Sequence, residues 1–598
     1  TAQIQVKSTF HTLSNPLNCW YNLPMSDKTT NIVAGLILAF VFVISFFAVK
    51  GDSLTMDELP HLSAGYSYLT QKDMRLNPEH PPLLKDLAAL PLLFIRDIKF
   101  PAEVKSWQEE INGQWDFGRE FLFRSGNPAD QMIFWGRIPM ILILILLGFF
   151  LFKWAKELFG NKAALLSLIF FALSPTFLAH GSLITTDVGA AAGILIASYY
   201  FLKALQSPNK KNIIIAGLAF GLAQLLKFSV ILLVPLFGFL ALVWWLQKKG
   251  ALKQTIKTLI LVFLIGFLLI WPVYQYHTLN YPPEKQLADS QVYLKDSIEI
   301  FKQPVLWMAD KPILRPYALY LTGLGMVFHR VAGGNTTYFL GEVSNQGWLS
   351  YFPAVYLMKI PLSFHILTLL ALLFALFWLR KNLKKSWNWI SSHSPEFSMI
   401  AFIGLYWLVS ITGKLNIGVR HLLPVFPFTI ILVSAATLNL LKEPHKKIKC
   451  FLLALLIGWQ AVSVFSVYPH FLAYFNEAAG GPENGYKYVV DSNLDWGQDL
   501  KGLKQWVEDN KIEKIYLDYF GGAEPEYYLK EKYSPWWGTR SPEELPKGNY
   551  LAVSATLLQG GKGEAIPSLN QPSGFYRWLD NYQPVAKIGY SIFIYYID

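Results

Sequence analysis

The sequence predicts an α-helical polytopic membrane protein that carries a small external C-terminal α/β domain. Three observations predict it. The 598 residues are 53% hydrophobic and only 16% charged, with a mean hydropathy of +0.31, too apolar for a soluble globular chain. Apolar runs near the ~20 residues that a bilayer-spanning helix needs recur as far as residue 467. Beyond that point charge and turn residues rise, and strand-like alternation replaces the long runs.

The elements follow in order. Residues 1–30 are polar and mixed, with neither a basic leader nor a small-residue cleavage site, and read as a cytoplasmic segment. A transmembrane domain then covers 31–467. Its runs are Asn31–Lys50, Ile133–Trp154, Ala163–Leu178, Val188–Leu205, Ile213–Leu226, Ser229–Gln247, Thr255–Tyr274, Phe352–Leu379, Phe397–Ile411, Val419–Leu441 and Ile448–Val467, about eleven spans. The short run before Lys227 and the one after it are also compatible with a single kinked or re-entrant unit. Lysines and arginines set the orientation. Lys153, Lys156 and Lys162 share one connection, Lys203, Lys210 and Lys211 the next, and Lys248, Lys249, Lys253 and Lys257 a third. Arg380, Lys381, Lys384 and Lys385, then Lys442, Lys446, Lys447 and Lys449, complete the series. All fall on one side of the membrane if every span is counted, which places the N-terminus in the cytoplasm and the C-terminus outside. External loops then cover 51–131 and 277–351. Leu83–Ile95, apolar but too short to span, is expected to lie in the interface. In the external domain, 468–598, KIEKIYLDYF and GYSIFIYYI alternate like strands and LKGLKQWVEDN reads as an amphipathic helix.

Composition also excludes. The two cysteines, Cys19 and Cys450, lack any CxxC or Cys/His neighbourhood, which argues against structural zinc and a disulfide framework. The net charge of +11 sits in short loops, a topology signal rather than a nucleic-acid surface. Ionisable residues near membrane depth are costly and mark sites. With this topology Asp57, Glu58, His61, His80, Lys85, Arg137, His180, Asp187, Lys227, Arg420 and His421 gather at the outer face. An acid there can take a proton from an incoming hydroxyl, and Lys and Arg can hold a phosphate. The set fits attack of an acceptor on a phosphate-activated group with a lipid tail, the cations stabilising the leaving oxygens.

At these residues the chain resembles a known family. The run MDELPHLSAGYSYLTQKDMRLNPEHPPLLK, with Asp57-Glu58 and His80-Pro81-Pro82-x-x-Lys85, is similar to the first external loop of protein O-mannosyltransferases. It is equally similar to that of bacterial lipid carrier-dependent glycosyltransferases of family 39, in the C-type superfamily. ITTD ending at Asp187, GLAFGLAQLLKFS around Lys227 and GVRHLLPVFPF around Arg420 have the same look. So do Thr337–Leu362 and YFNEAAGGPENGYKYVVDSNLDWGQDLKGL, Tyr474–Leu503. The resemblance implies a C-type glycosyltransferase fold, an external active site in a bacterial inner membrane, and inverting transfer from a polyprenyl-phosphate-linked sugar. It implies Asp57 as general base, Glu58 as the acid that orients donor or acceptor, and Asp187 completing an acidic rim. Lys85, Lys227 and Arg420 are the phosphate candidates in that order, with His61, His80, Arg137 and His421 as further substrate contacts. The acceptor stays open between protein and lipid glycan, because no loop is long enough for the β-trefoil of the eukaryotic members. No cofactor is expected, and a divalent metal is not favoured. Membrane lipids are the other partner.

Plainer roles compete for several residues. His61, at i+4 from Asp57, reads better as a hydrogen-bonded interface residue than as a metal ligand. His80 could cap the interfacial helix, Arg137 could snorkel to headgroups, and Asp495 is read as a helix cap. The competing function is a transporter or flippase of lipid-linked glycans, for which broken helices with charge at mid-membrane would be expected. A ligase acting on polyprenyl-diphosphate glycans would not require the Asp-Glu pair.

Overall fold

The structure, a computed structural model, describes residues 26–598 except 248, 383–384, 443–444 and 570–571. The reading of 1–30 as a cytoplasmic segment therefore lies almost wholly outside the described residues. Helix α1 (Asp27–Ala48) opens on Ser26, whose hydroxyl accepts the Thr29 amide at 3.1 Å. Helices α2 (Glu58–Gln71) and α3 (Leu83–Ala89) fold in the loop beyond it. Then come α4 (Ala129–Ala172), α5 (Pro175–His180), α6 (Asp187–Gln206), α7 (Lys210–Gln224), α8 (Leu233–Leu246) and α9 (Leu252–His277). The second long loop holds α10 (Arg315–Gly333), followed by α11 (Tyr351–Lys359), α12 (Leu362–Asn382), α13 (Ser394–Thr412), α14 (Phe426–Leu440) and α15 (Lys446–Phe465).

Among the described residues nine helical segments are long and apolar enough to cross a membrane. The difference from about eleven has local causes. The runs Ile133–Trp154 and Ala163–Leu178 fall largely on α4, whose 44 residues are two helices joined across non-helical backbone at Gly160, where φ is 81°, so one of the nine segments holds two of the expected runs; glycine takes that conformation without a Cβ clash. Helix α7 has 15 residues, about 22 Å of rise, short of a ~30 Å hydrocarbon core. Pro361 separates α11 from α12, so the run from Phe352 is two helices rather than one.

Small residues put α6 at the centre. Its apolar window is 83% buried, against 22% for α1, α9, α12 and α15, which are left to face lipid. Gly189, Ala190, Ala191, Ala192 and Gly193 are all buried on it. A Cβ at Gly221 of α7 would come within 2.8 Å of the Gly266 Cα on α9, so these backbones touch as small-residue membrane interfaces do. At one end of the bundle Lys156 pairs with Asp27 and Lys203 with Glu157. The opposite end carries α2, α3 and the C-terminal region.

That region has two parts. Residues 471–493 form short 3₁₀ turns laid against the bundle. Lys359, buried at the end of α11, donates to the carbonyls of Leu472 at 2.8 Å and Asn493 at 2.6 Å. The Asn493 Oδ1 accepts the Val419 amide at 2.9 Å. The α/β unit starts only at α16 (Leu500–Asp509), the amphipathic helix read from the sequence. Strands β3 (Ile515–Asp518), β4 (Tyr533–Pro535), β5 (Asn549–Ser554), β7 (Ala586–Ile588) and β8 (Ile592–Ile597) form a sheet in the order β4-β3-β5-β8-β7. β3, β4 and β5 are parallel, and β8 is antiparallel to both of its neighbours. Helix α17 (Ala555–Lys562) follows β5. A hairpin of β1 (Thr337–Phe339) and β2 (Glu342–Ser344) from the second loop pairs with β6 (Glu564–Ala565), tying the loop to the domain. Cys450 on α15 is disulfide-bonded, a single bridge that composition gave no reason to expect.

The segment expected in the interface, Leu83–Ile95, divides. Leu84, Lys85 and Ala88 are buried, while the turn Leu90–Phe94 holds Phe94 84% exposed, so only its tip offers an apolar surface.

Candidate active site

Helix ends build the site. Asp57 precedes α2, Asp187 is the first residue of α6, and Lys227 lies between α7 and the 3₁₀ turn Phe228–Leu232. Arg420 lies in the 3₁₀ turn Val419–Val425 that leads into α14. The Arg420 Nη1 donates to Asp57 Oδ2 at 2.8 Å and to Asp187 Oδ2 at 3.3 Å. Lys227 Nζ reaches the other Asp187 oxygen at 2.5 Å. Two cations and two carboxylates, far apart in sequence, thus form one chain of ion pairs. Asp187 is 1% exposed in its side chain and Asp57 is 22% exposed, so Asp57 is the acid open to a ligand.

A cavity of about 110 Å³ adjoins this chain; Asp57, His80, Lys227, Arg330, Arg420 and His421 are on its wall. Three of those groups are cations and one is a carboxylate, a balance that suits an anion such as phosphate. Burial alone would raise the Asp57 pKa. Arg420, His61 and Arg330 outweigh it and hold the carboxyl below its ordinary value. Burial pushes the His80 imidazole well below its usual pKa, so it is neutral at this wall.

The remaining sequence candidates are elsewhere. Glu58 is fully buried and accepts the Thr55 amide and hydroxyl, both at 2.9 Å, and the Ile184 amide at 3.0 Å. Arg137 completes it, Nε to Oε1 at 2.8 Å and Nη2 to Oε2 at 2.6 Å, and also donates to the carbonyls of Val49, Asp52 and Ser53. This closed pair ties the loop after α1 to α4 and to the turn before α6; it does not line the cavity, and Arg137 does not snorkel. Lys85 is equally enclosed. Its ammonium donates to Tyr68 Oη, to the carbonyl and side-chain oxygens of Asn77 and to the His80 carbonyl, all within 2.9 Å. First among the phosphate candidates in the sequence, it is turned away from the cavity and shapes the loop that presents His80. His61 is buried, its Nδ1 2.8 Å from the Ile184 carbonyl, with its pKa lowered to about 4 by burial. Asp495 does cap a helix, but not the next one: its Oδ2 accepts the Thr556 amide of α17 at 2.7 Å.

Sequence reasoning missed Arg330, Ser492 and Trp496. Arg330 ends α10 and brings the second loop to the cavity. Ser492 Oγ accepts Arg420 Nε at 3.0 Å, and the guanidinium lies 4.3 Å from the centre of the Trp496 ring. The DSNLDWGQD run is the available signal. Its acids suggest calcium binding or capping, and its support of Arg420 emerges only in the fold.

Comparison with known proteins bears on the same region. Residues 129–274, which include Arg137, Asp187 and Lys227, match the family model described as dolichyl-phosphate-mannose-protein mannosyltransferase. No curated protein sequence matches. Among solved structures, ArnT from Cupriavidus metallidurans bound to undecaprenyl phosphate aligns with 94% of this chain and 97% of its own, at 12% identity and a TM-score of 0.42. The S. cerevisiae protein O-mannosyltransferase Pmt1-Pmt2 complex bound to the sugar donor aligns with 42% of this chain and 34% of its own, at 18% identity and a TM-score of 0.32. At such scores these two likenesses carry no structural inference. The family match spans the ITTD and GLAFGLAQLLKFS motifs and none of the others, and the chain resembles the lipid carrier-dependent glycosyltransferases of family 39, protein O-mannosyltransferases among them.

Proposed function

We propose that the chain transfers a hexose from a polyprenyl-phosphate-linked donor to a hydroxyl acceptor at the outer face of a bacterial inner membrane. The observation that carries this reading is the cavity in which Asp57 faces Lys227, Arg330 and Arg420. The cations hold the donor phosphate. The acceptor oxygen attacks the anomeric carbon while the bond from that carbon to the phosphate oxygen breaks. Asp57 takes the acceptor proton, the free polyprenyl phosphate leaves against the cations, and the anomeric configuration inverts. Asp187 anchors Lys227 and Arg420 from behind.

The ion pair between Asp57 and Arg420 gives this reading a specific consequence. A carboxylate held below its ordinary pKa is a weak base. When a donor phosphate engages Arg420, the stabilisation of the Asp57 anion is shared, and its proton affinity rises. Donor binding therefore prepares the base, and an empty site keeps it quiet. What favours transfer over transport of lipid-linked glycans is the gathering of these charges at helix ends on one face.

The test is mass spectrometry of envelope lipids and exported proteins from cells lacking the gene, complemented with wild-type or Asp57→Asn protein. A hexose addition that returns with the wild type and falls by about 10²–10⁴ in rate with the variant is the expected result. Equal restoration by Asp57→Asn at matched membrane levels sinks the base assignment. Transfer by purified protein is expected to survive chelation; loss with chelator and recovery with a divalent ion would make the acids metal ligands instead.

A further inference from the structure

A second cavity, of about 230 Å³, lies between the β1–β2 hairpin and α17. Its lining includes Thr336, Thr337 and Thr556, the ring of Phe575, the adjacent glycines Gly560 and Gly561, and one charged residue, Asp491. Among the described residues no lysine, arginine or histidine lines it. Asp491 Oδ1 accepts the Ser492 amide at 2.5 Å, while Oδ2 has no hydrogen-bond or ion-pair partner among the described residues. Ser492, the next residue, holds Arg420 of the first cavity at 3.0 Å. Asp491 thus stands on the wall between the two spaces, close enough for the charges of Arg420 and Asp57 to act on it.

We propose that this second cavity is a subsite for a neutral sugar ring, held through its hydroxyls by Asp491 and against Phe575 beside the open backbone of Gly560. The chemistry selects the class. With Asp491 as the one charge on its described wall, the cavity disfavours phosphate and carboxylate ligands, while the carboxylate accepts strong hydrogen bonds from vicinal hydroxyls. Hydroxyl side chains on one wall and an aromatic ring on another match the polar rim and apolar face of a pyranose. Gly560 lets the ring approach helix backbone, since a Cβ there would meet nothing within 4 Å, whereas Gly561 packs under Phe575 itself, where a Cβ would come within 2.5 Å of that ring, and so sets where the aromatic wall stands. The ring belongs to the acceptor or to the donor; only its placement beside the transfer site depends on the function proposed above.

The experiment reads binding without transfer. The purified full-length chain in detergent is titrated with methyl glycosides of glucose, mannose, galactose and N-acetylglucosamine by saturation-transfer-difference NMR. At least one is expected to bind the wild type and to bind Asp57→Asn equally well. Binding should weaken about tenfold or more in Asp491→Asn, which loses a charge-assisted acceptor, and in Gly560→Leu, which fills the space. Neither variant is expected to disturb folding. Asp491 has φ 57°, which asparagine adopts readily, and leucine is a better helix former than glycine. Titration with polyprenyl-phosphate-hexose and with bare polyprenyl phosphate then assigns the ring. If Gly560→Leu weakens only the hexose-bearing lipid, the subsite holds the donor sugar; if it changes neither, the subsite holds the acceptor's sugar. Either result upholds the subsite. Absence of glycoside binding to the wild type, or binding that both variants leave intact, overturns it. Failure of the transfer reading would appear separately, as glycoside binding retained by a chain that moves no sugar.

Discussion

Glu58→Gln separates a structural acid from a catalytic one. Glu58 accepts five hydrogen bonds from Thr55, Ile184 and Arg137, and no surface of it is exposed. Glutamine keeps one acceptor oxygen, but it turns an NH₂ group towards donors that already point at that position. It also leaves the Arg137 guanidinium, 1% exposed, without its counter-charge. Removing one partner of such a buried pair costs about 3–5 kcal/mol. In a chain of this length that lowers the apparent melting temperature on the order of 5 °C. The Glu58 carboxyl is held below its ordinary pKa because Arg137 and the surrounding donors outweigh its burial. Its contribution is present above the unfolded-state carboxylate pKa and is lost as pH falls through the lower folded value. The assay is thermal aggregation of the detergent-purified variant beside its transfer activity at a temperature where it remains folded. The double change Glu58→Leu with Arg137→Met should recover part of the stability, since it removes both charges. A Glu58→Gln protein that melts like the wild type yet loses transfer a hundredfold or more would put Glu58 on the substrate and refute this reasoning.

Lys227→Ala should weaken binding of purified polyprenyl phosphate about tenfold. Lys85→Ala should keep that binding but lower stability by about 1–3 kcal/mol, since four acceptors lose their donor; the reverse pattern would restore Lys85 to the phosphate. Burial raises the Asp495 pKa to about 8. The folded chain therefore holds a proton that the unfolded chain has lost, and stability falls as pH rises from the unfolded carboxylate value towards about 8. Asp495→Asn should reduce that slope, read as melting temperatures at about pH 6 and about pH 9, and leave the part due to Asp52, whose pKa burial raises to about 7. Thiols introduced at exposed Glu110, Glu284 and Lys547 should be labelled from outside intact cells, and those at exposed Asn209 and His445 should not; labelling at Asn209 breaks the topology.

The spans were legible because hydropathy is a property of single residues summed over a window. Their ends were not, because Gly160 and Pro361 act through local backbone geometry that a window averages away. Asp57, Asp187, Lys227 and Arg420 were legible as a group, since charge beside apolar runs is costly and its gathering on one side marks a site. The division of labour among them was hidden. Glu58 and Lys85 carry the same charges as Asp57 and Lys227, and only three-dimensional neighbours distinguish a saturated group from an open one. Arg330 stood in a loop where basic residues are commonplace, and nothing local to the sequence shows that α10 brings it to His80 and Asp57. Trp496 looked like one more aromatic in a chain with 20 tryptophans; its role exists only through Arg420.

That last contact changes how the C-terminal region should be divided. Residues 468–598 read from the sequence as a domain appended to a complete bundle, so a chain ending at 467 ought to keep its activity. The contacts argue otherwise. Such a chain loses Ser492 Oγ and the Trp496 ring, which hold Arg420 against Asp57. It also leaves the buried Lys359 ammonium without the Leu472 and Asn493 carbonyls, its two hydrogen-bond acceptors. An unpaired buried ammonium costs several kcal/mol, so the end of α11 should loosen along with the Arg420 turn. We expect the 1–467 chain to insert but to transfer no sugar, and co-expression of 468–598 as a separate polypeptide to restore part of the activity. A second truncation after Leu494 distinguishes the two contacts, because it keeps Ser492 and both Lys359 acceptors while removing Trp496. Sugar transfer by the 1–467 chain at the wild-type rate would show that the bundle alone positions Arg420, and that the tail serves some other end.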